Sequence, residues 1–246
     1  GGAWPNGYFF YMPRLCNHCT DAPCVAACEA HFGRGGGLPS ARADGVTAAM
    51  HKRNEDGIVV IDPRSCDDCG LCLSACPYKI PMENLSVGSY EMCDFCAARV
   101  DNNYAPVCSK SCPARGMYFG YLDDENSFVH KLVKKYQVAL PLRPDFGTQP
   151  NVYYIPPFVR PSQLGEGNRP TGTADIPIEL LRSYFGPAVD QALATLREHR
   201  ANAEAGQLSE LMELLIIFKW ADAFEPFQIL APTEPIEQPA LVAKGR

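Results

Sequence analysis

Twelve cysteines, all between Cys16 and Cys112 with none in the 134 residues that follow, constrain this 246-residue chain more than any other feature. They fall into three groups of four. Cys66, Cys69, Cys72 and Cys76 follow C-x2-C-x2-C-x3-C and run into Pro77. Cys16, Cys19, Cys24 and Cys28 widen the middle gap to four residues, and Cys93, Cys96, Cys108 and Cys112 widen it to eleven before Pro113. Each group closes on C-x3-C, which makes the pattern an internal repeat. Cysteines spaced this closely converge on a common centre rather than bridge one another, so short elements and tight turns are expected around them.

The gaps of two, two and three residues before Cys-Pro are those by which bacterial ferredoxins hold cubane iron-sulfur clusters, with the fourth thiolate sent to a neighbouring cluster. Structural zinc is the first competing reading, but zinc ribbons use two separated pairs per metal and the crowded third and fourth cysteines do not fit them. A disulfide framework fits poorly because cysteines two and three residues apart make strained bridges. A nucleophilic or dithiol role for one C-x-x-C pair explains still less. If the first three cysteines of one motif join the fourth of the other, one cluster takes Cys16, Cys19, Cys24 and Cys76 and a second takes Cys28, Cys66, Cys69 and Cys72. The third motif then offers Cys93, Cys96 and Cys108 to one cluster and Cys112 to another, leaving four ligands to find. A four-cysteine motif ahead of Gly1 is the expected source; the alternative is that the third motif closes by itself on one cluster or a zinc.

Patterning divides the chain into three blocks. Residues 1–121 form a ferredoxin-like iron-sulfur domain in which Ile58–Ile61 and Met117–Tyr121 are strand-length runs and Gly33–Pro39 is a surface loop. Residues 122–177 hold a helix from about Asp124 to Tyr136, with Phe128, Leu132 and Tyr136 on one face, and then a stretch with eight prolines between Pro141 and Pro177 that reads as an extended arm. Residues 178–246 form a helical extension: Pro187 opens a helix through Leu193 and Leu196 that stops by Gly206, a last helix runs from about Ser209 to Phe224, and the tail from Ala231 to Pro239 is extended. The fold class is therefore α+β. The 22 basic against 28 acidic side chains, with no basic block, argue against nucleic acid. The most apolar run, Leu211–Phe218, is too short to span a membrane.

These residues resemble the iron-sulfur beta subunits of the dimethyl sulfoxide reductase family of molybdopterin oxidoreductases. The resemblance is carried by 11–20 (YMPRLCNHCT), 56–62 (DGIVVID), Cys76-Pro77-Tyr78-Lys79 and 150–157 (PNVYYIPP). The last of these, with Leu211-Met212 and Trp220, is most similar to the branch of ethylbenzene dehydrogenase, dimethyl sulfide dehydrogenase, and selenate and chlorate reductases, and more distantly to nitrate reductase beta chains. It implies a non-catalytic electron-transfer subunit with four [4Fe-4S] clusters in a row, two of them completed by an amino-terminal cysteine motif. The implied partners are a molybdopterin catalytic alpha subunit and a haem b gamma subunit or other acceptor. The implied route runs from the molybdenum partner through the third-motif clusters to that of Cys16 and then to that of Cys66. The implied place is the periplasm, reached by export with the catalytic partner, or alternatively the cytoplasmic side of a membrane complex. A free-standing polyferredoxin is the competing reading, which the chain after Tyr121 argues against.

Three departures from that family stand out. Cys69 replaces an aromatic residue that leaves a three-iron cluster, so a four-iron cluster is expected here. Glu29 stands where proline is usual, and the insert from His31 to Met50 is long. Val25, Ala26, Ala27, Leu71, Leu73 and Ala75, lying between ligands, are expected to form the dry shell around the clusters. Asp67 and Asp68 are expected to be solvated turn residues, Arg14, Lys79, Arg99 and Arg115 solvated surface, His31 and His51 loop residues, and His18 a hydrogen-bonding or surface residue rather than a ligand.

Overall fold

The computed structural model describes residues 8–33, 48–158, 162–164, 170–173, 176–216 and 221–228. The glycine-rich loop after Gly33, Trp220 and the tail from Ala231 lie outside them. Short antiparallel hairpins and helices make a mixed α+β fold, and the described residues group into two compact units built from non-contiguous stretches.

One unit comprises the described residues of Arg14–Met117, Phe146–Val152 and Pro226–Arg246. Helix α1 (Pro23–Gly33) starts on a proline, whose fixed φ and missing N–H suit the first turn. Strands β1 (Met50–Lys52) and β2 (Val59–Ile61) pair antiparallel, with Met50 opposite Ile61, and helix α2 (Leu71–Ala75) packs on α1. A second hairpin joins β3 (Met82–Asn84) to β4 (Ser89–Glu91), and the short helices α3 (Ala97–Val100) and α4 (Val107–Ser111) complete the unit. No helix here except α1 exceeds five residues, so local propensity supplies little stability. Gly70, just ahead of α2, sits at φ +71, and a Cβ there would lie 3.0 Å from the Tyr90 hydroxyl. Only glycine meets both conditions.

The other unit comprises the described residues of Gly1–Pro13, Tyr118–Asp145 and Tyr153–Glu225. Its first helix, α5 (Phe128–His130), begins later than Asp124, because Ser127 caps it by accepting from His130 N at 3.0 Å. It continues as a π-helical turn, Lys131–Lys135. Phe128 and Tyr136 pack against buried Leu132, as their spacing predicts. The proline-rich stretch contains the strand pair β5 (Leu140–Pro141) and β6 (Tyr153–Tyr154), a 3-10 turn at Pro144–Phe146, and the hairpin of β7 (Ser162–Leu164) and β8 (Pro170–Thr173), so it is folded in short pieces where an unbroken arm is expected. Helices α6 (Ile178–Phe185) and α7 (Ala188–Glu204) meet at Gly186-Pro187, where Gly186 at φ +71 leaves no room for a side chain beside Pro144. The expected last helix is shorter, α8 (Glu210–Ile216), with a separate 3-10 turn at Ala221–Phe224. Met117–Tyr121 is not a strand; the Tyr118 hydroxyl donates instead to Leu214 O at 3.1 Å, and the run pairs with no strand among the described residues.

Glu210 ties the start of α8 to the π-helical turn. It accepts from Lys135 Nζ at 2.5 Å and Tyr136 Oη at 2.6 Å and lies 3.0 Å from Lys131 Nζ. Lys135 first, then Tyr136 and Lys131, hold its carboxyl down from 4.5 to about 2. A depressed carboxyl stabilises the fold above its ordinary value and loses that contribution as pH falls through about 2. Because the group is partly exposed, the contribution after solvent screening is about 1 kcal/mol. Glu210→Gln is expected to lower stability by that amount at pH 7 and by nothing below pH 2, measured by urea unfolding at the two pH values.

Candidate metal centres

Two small cavities, each walled by four thiols, lie in the cysteine-bearing unit. One is lined by Cys16, Cys19, Cys24 and Cys76 and the other by Cys28, Cys66, Cys69 and Cys72. The crossing comes from two packed helices. Cys24 and Cys28 are one turn apart on α1, which separates them by about 6 Å along the axis and presents them to neighbouring cavities. Cys72 lies on α2, while Cys76 follows as its C-cap and turns into the other cavity. All twelve cysteines are free thiols.

The sequence repeat is also a backbone repeat. In all three motifs the residue before the second cysteine takes the left-handed conformation: His18 at φ 43, Asp68 at φ 61 and Phe95 at φ 52. After the closing cysteine the second and third motifs again agree. Cys76 has φ −69 and ψ 115, Cys112 has φ −69 and ψ 111, and three residues on Lys79 N and Arg115 N donate to the respective cysteine carbonyls at 3.1 and 3.0 Å. Such turns aim successive N–H groups into a concavity that favours negative charge. Donors accordingly reach sulfur from His18 N to Cys16 (3.5 Å), Met50 N to Cys28 (3.3 Å) and Gly116 N to Cys112 (3.4 Å).

Burial opposes those donors in the metal-free thiols. It pushes Cys16 and Cys72 up to about 12 and Cys24 to about 11, and raises Cys19, Cys28, Cys69 and Cys93 as well. Three thiols of each cavity are raised in this way, and a cation bound among them would offset that burial, which is the donor chemistry that an iron-sulfur cluster requires. The residues fit the group.

The wall around the thiols differs from the expected shell. Val25 is buried, but Ala26 and Leu71 are exposed and Ala27, Leu73 and Ala75 only half-buried, because on short helices the positions between ligands turn away from the sulfurs. Val59, Pro77 and Ile80 line the first cavity instead, and Phe32, Ala49, Met50 and Tyr90 the second. The expected basic surface is also partly spent on backbone. Arg14 donates to Tyr78 O, Lys79 to Leu73 O and Ser74 O, and Arg99 to Ala105 O.

Among the histidines, His31 lies in the last turn of α1 and His51 in β1, so neither is a loop residue. His31 Nε2 meets Asp67 Oδ2 at 2.5 Å, which makes Asp67 a partnered group, and both stand within 4.8 Å of the Cys69 thiol. Asp67 is nonetheless exposed as expected, whereas the buried Asp68 Oδ1 contradicts a solvated turn. His18 is buried at 1% exposure; its Nδ1 accepts from Val59 N at 2.9 Å, and its ring stacks on Phe95 at 4.0 Å. Burial lowers its pKa to about 4. Sequence reasoning missed the clamp formed by 146–152 over the first motif. Asn151 N donates to Asn17 O and its side chain to His18 O, both at 2.8 Å, while Thr20 N and Asp21 N donate to Gln149 O and Thr148 O. The proline-flanked Asn151 was its only signal.

In the third motif Cys93, Cys96 and Cys112 are half-buried and Cys108 is exposed. The Cys93 thiol interacts electrostatically with Cys108 and Cys96, and that of Cys16 with Cys93. Among the eight cysteines of the two cavities only Cys69 is exposed. Cys69→Ala is expected to leave the first cavity's centre intact and to convert the second to a three-iron form, visible as a strong intrinsic electron paramagnetic resonance (EPR) signal in the oxidised protein. Wild-type protein is expected to lack that signal, and its presence there would count against a fourth thiolate at Cys69.

Residues 8–122 match the family described as 4Fe-4S dicluster domain. The chain is 40% identical over 224 residues to dimethylsulfide dehydrogenase subunit beta of Rhodovulum sulfidophilum, 42% to chlorate reductase subunit beta of Ideonella dechloratans and 41% to selenate reductase subunit beta of Thauera selenatis. Each match covers 91% of this chain and 63% of the relative, so the chain spans less than two thirds of their length.

Proposed function

We propose that the chain is a 4Fe-4S beta subunit of the dimethyl sulfoxide reductase family and that it carries electrons between a molybdopterin catalytic subunit and a further redox partner. The observation that carries the reading is the pair of cavities, each walled by three cysteines of one motif and the fourth of the other. Cys16, Cys19, Cys24 and Cys76 are the proposed ligands of one [4Fe-4S] cluster and Cys28, Cys66, Cys69 and Cys72 of a second. Cys93, Cys96 and Cys108 provide three ligands of a third and Cys112 one of a fourth. When bound, the clusters supply one-electron carriers. The chain's own residues hold them, aim N–H donors at the sulfurs and keep water away, which limits reorganisation. The subunit has no catalytic residue in this reading.

The further partner is proposed to be a haem b subunit or another acceptor, and the location the periplasm, with export through the catalytic partner. No described helix is long and apolar enough to cross a membrane. Purification of the native protein with metal analysis tests the proposal. The expected result is brown protein with iron and sulfide for at least two four-iron clusters per chain, co-eluting with a larger molybdenum-containing subunit. Zinc without sulfide would overturn the cluster reading, and a cluster-loaded chain running alone would replace the subunit reading with a diffusing carrier.

A further inference from the structure

One short segment touches all three cysteine motifs. On β1, Met50 N donates to Cys28 Sγ at 3.3 Å, in the wall of the second cavity, and Lys52 Nζ donates to Cys19 O at 2.9 Å, beside the first. Arg53, the next residue, reaches the third motif: its Nη1 donates to Asp101 Oδ2 at 3.2 Å and its Nη2 to Asp101 Oδ1. Asp101 is the C-cap of α3, the helix that begins directly after Cys96. The Arg53 backbone is pinned in the turn between β1 and β2, since its N–H donates to Ile58 O at 2.8 Å and its carbonyl accepts from Gly57 N at 3.0 Å. Asp56 Oδ2 stands 3.0 Å from Nη2 and Glu55 Oε1 3.0 Å from Nε, so carboxylates of its own turn fix the guanidinium while its fork binds Asp101.

We propose that Arg53 is a positioning residue that sets the third cysteine centre relative to the other two. This rests on the reading that the thiols hold iron-sulfur clusters. The third motif has the widest gap of the three, eleven residues between Cys96 and Cys108, so its spacing alone leaves the sulfurs freer than in the other motifs. It meets the first motif where Phe95 stacks on His18 at 4.0 Å, and a single stacked contact leaves it able to pivot. A second tie at the far end of α3 removes that freedom. A bidentate arginine-carboxylate pair suits the task, because two parallel bonds fix direction as well as distance. Gln228 holds the following turn, donating to Asn103 O at 2.7 Å and accepting from Ala105 N at 3.0 Å, and Arg53 joins that turn to β1. Electron transfer between centres falls steeply with their separation, so a tie that fixes the third motif fixes the rate of the step across it.

Amide hydrogen exchange of the purified, iron-loaded protein reads the tie. Arg53→Met and Asp101→Ala are each expected to speed exchange of the Asp101, Asn103 and Tyr104 amides about tenfold, and the double variant to go no more than about twofold beyond either, because both substitutions remove one interaction. EPR of the fully reduced protein reads the consequence. In Arg53→Met the magnetic coupling between the first and third-motif centres is expected to weaken, while that between the two cavity centres stays as in wild type. Additive exchange effects would overturn the pairing, and an unchanged coupling between the first and third-motif centres would overturn the positioning role. A change shared equally by the two cavity centres would mark general loosening and overturn it as well. If Arg53→Met fails to load iron, Asp101→Ala, altered at an exposed residue, carries both measurements. Wild-type protein without iron and sulfide would instead refute the reading on which the proposal rests.

Discussion

Stripping iron from the full chain with a chelator under reducing conditions is expected to unfold the unit of Arg14–Met117 and leave the helices α6 and α7 folded. The unit's elements cannot stand by themselves. Its strands are three residues long, and apart from α1 its helices have four or five residues, below the length at which isolated helices or hairpins persist. Seven of the eight thiols around the two cavities are buried, and burial pushes Cys16 and Cys72 up to about 12 and Cys24 to about 11, so these stay protonated in the absence of metal. Metal binding is then folding free energy for this unit, as in zinc fingers. Limited proteolysis of the chelated protein is expected to cut within 14–117 at least a hundred times faster than in the loaded protein, with the peptide covering 178–204 surviving. Equal protease resistance before and after iron removal would show that the polypeptide packing alone suffices.

Leu196→Ala is the other large effect, expected to cost about 2–5 kcal/mol of unfolding free energy. Leu196 is fully buried on α7 among Leu132, Val138, Leu211 and Leu214, which come from the π-helical turn, the run after it and α8. Removing its branched end opens a cavity that these three separate elements would have to close at once. Leu208, exposed between α7 and α8, is the control, and Leu208→Ala is expected to stay within about 0.5 kcal/mol. Urea unfolding of iron-loaded protein, followed by far-ultraviolet circular dichroism, measures both. A Leu196→Ala cost no larger than that of Leu208→Ala would remove the claim that this cluster is the core of its unit.

Particular residues show where a linear reading works and where it stops. Helix α7 was legible because Pro187, Leu193, Leu196 and Gly206 carry start, face and stop signals within one segment. The strand at Ile58–Ile61 was legible from its β-branched run, and the structure retains Val59–Ile61. Helix α6 and strand β1 went unseen, although α6 follows Pro177 as α7 follows Pro187; β1 is only three residues long. Met117–Tyr121 has the composition of a strand but spends the Tyr118 hydroxyl on α8, and tertiary context overrides propensity there. His31 and Asp67 are 36 positions apart and meet only because α1 packs on α2.

The cysteine spacing by itself determined that metal chemistry dominates this chain and which thiols belong to one motif, because a two- or three-residue gap leaves the sulfurs no freedom to be far apart. It also carried the αL turns and the Cys-Pro stops, which are properties of a few consecutive residues. Only the tertiary structure decided which atoms wall the cavities, that Cys69 stands at the solvent edge, and that His18 is packed against Phe95. Those facts depend on side chains brought together from segments dozens of residues apart, and burial exists only once that packing is complete.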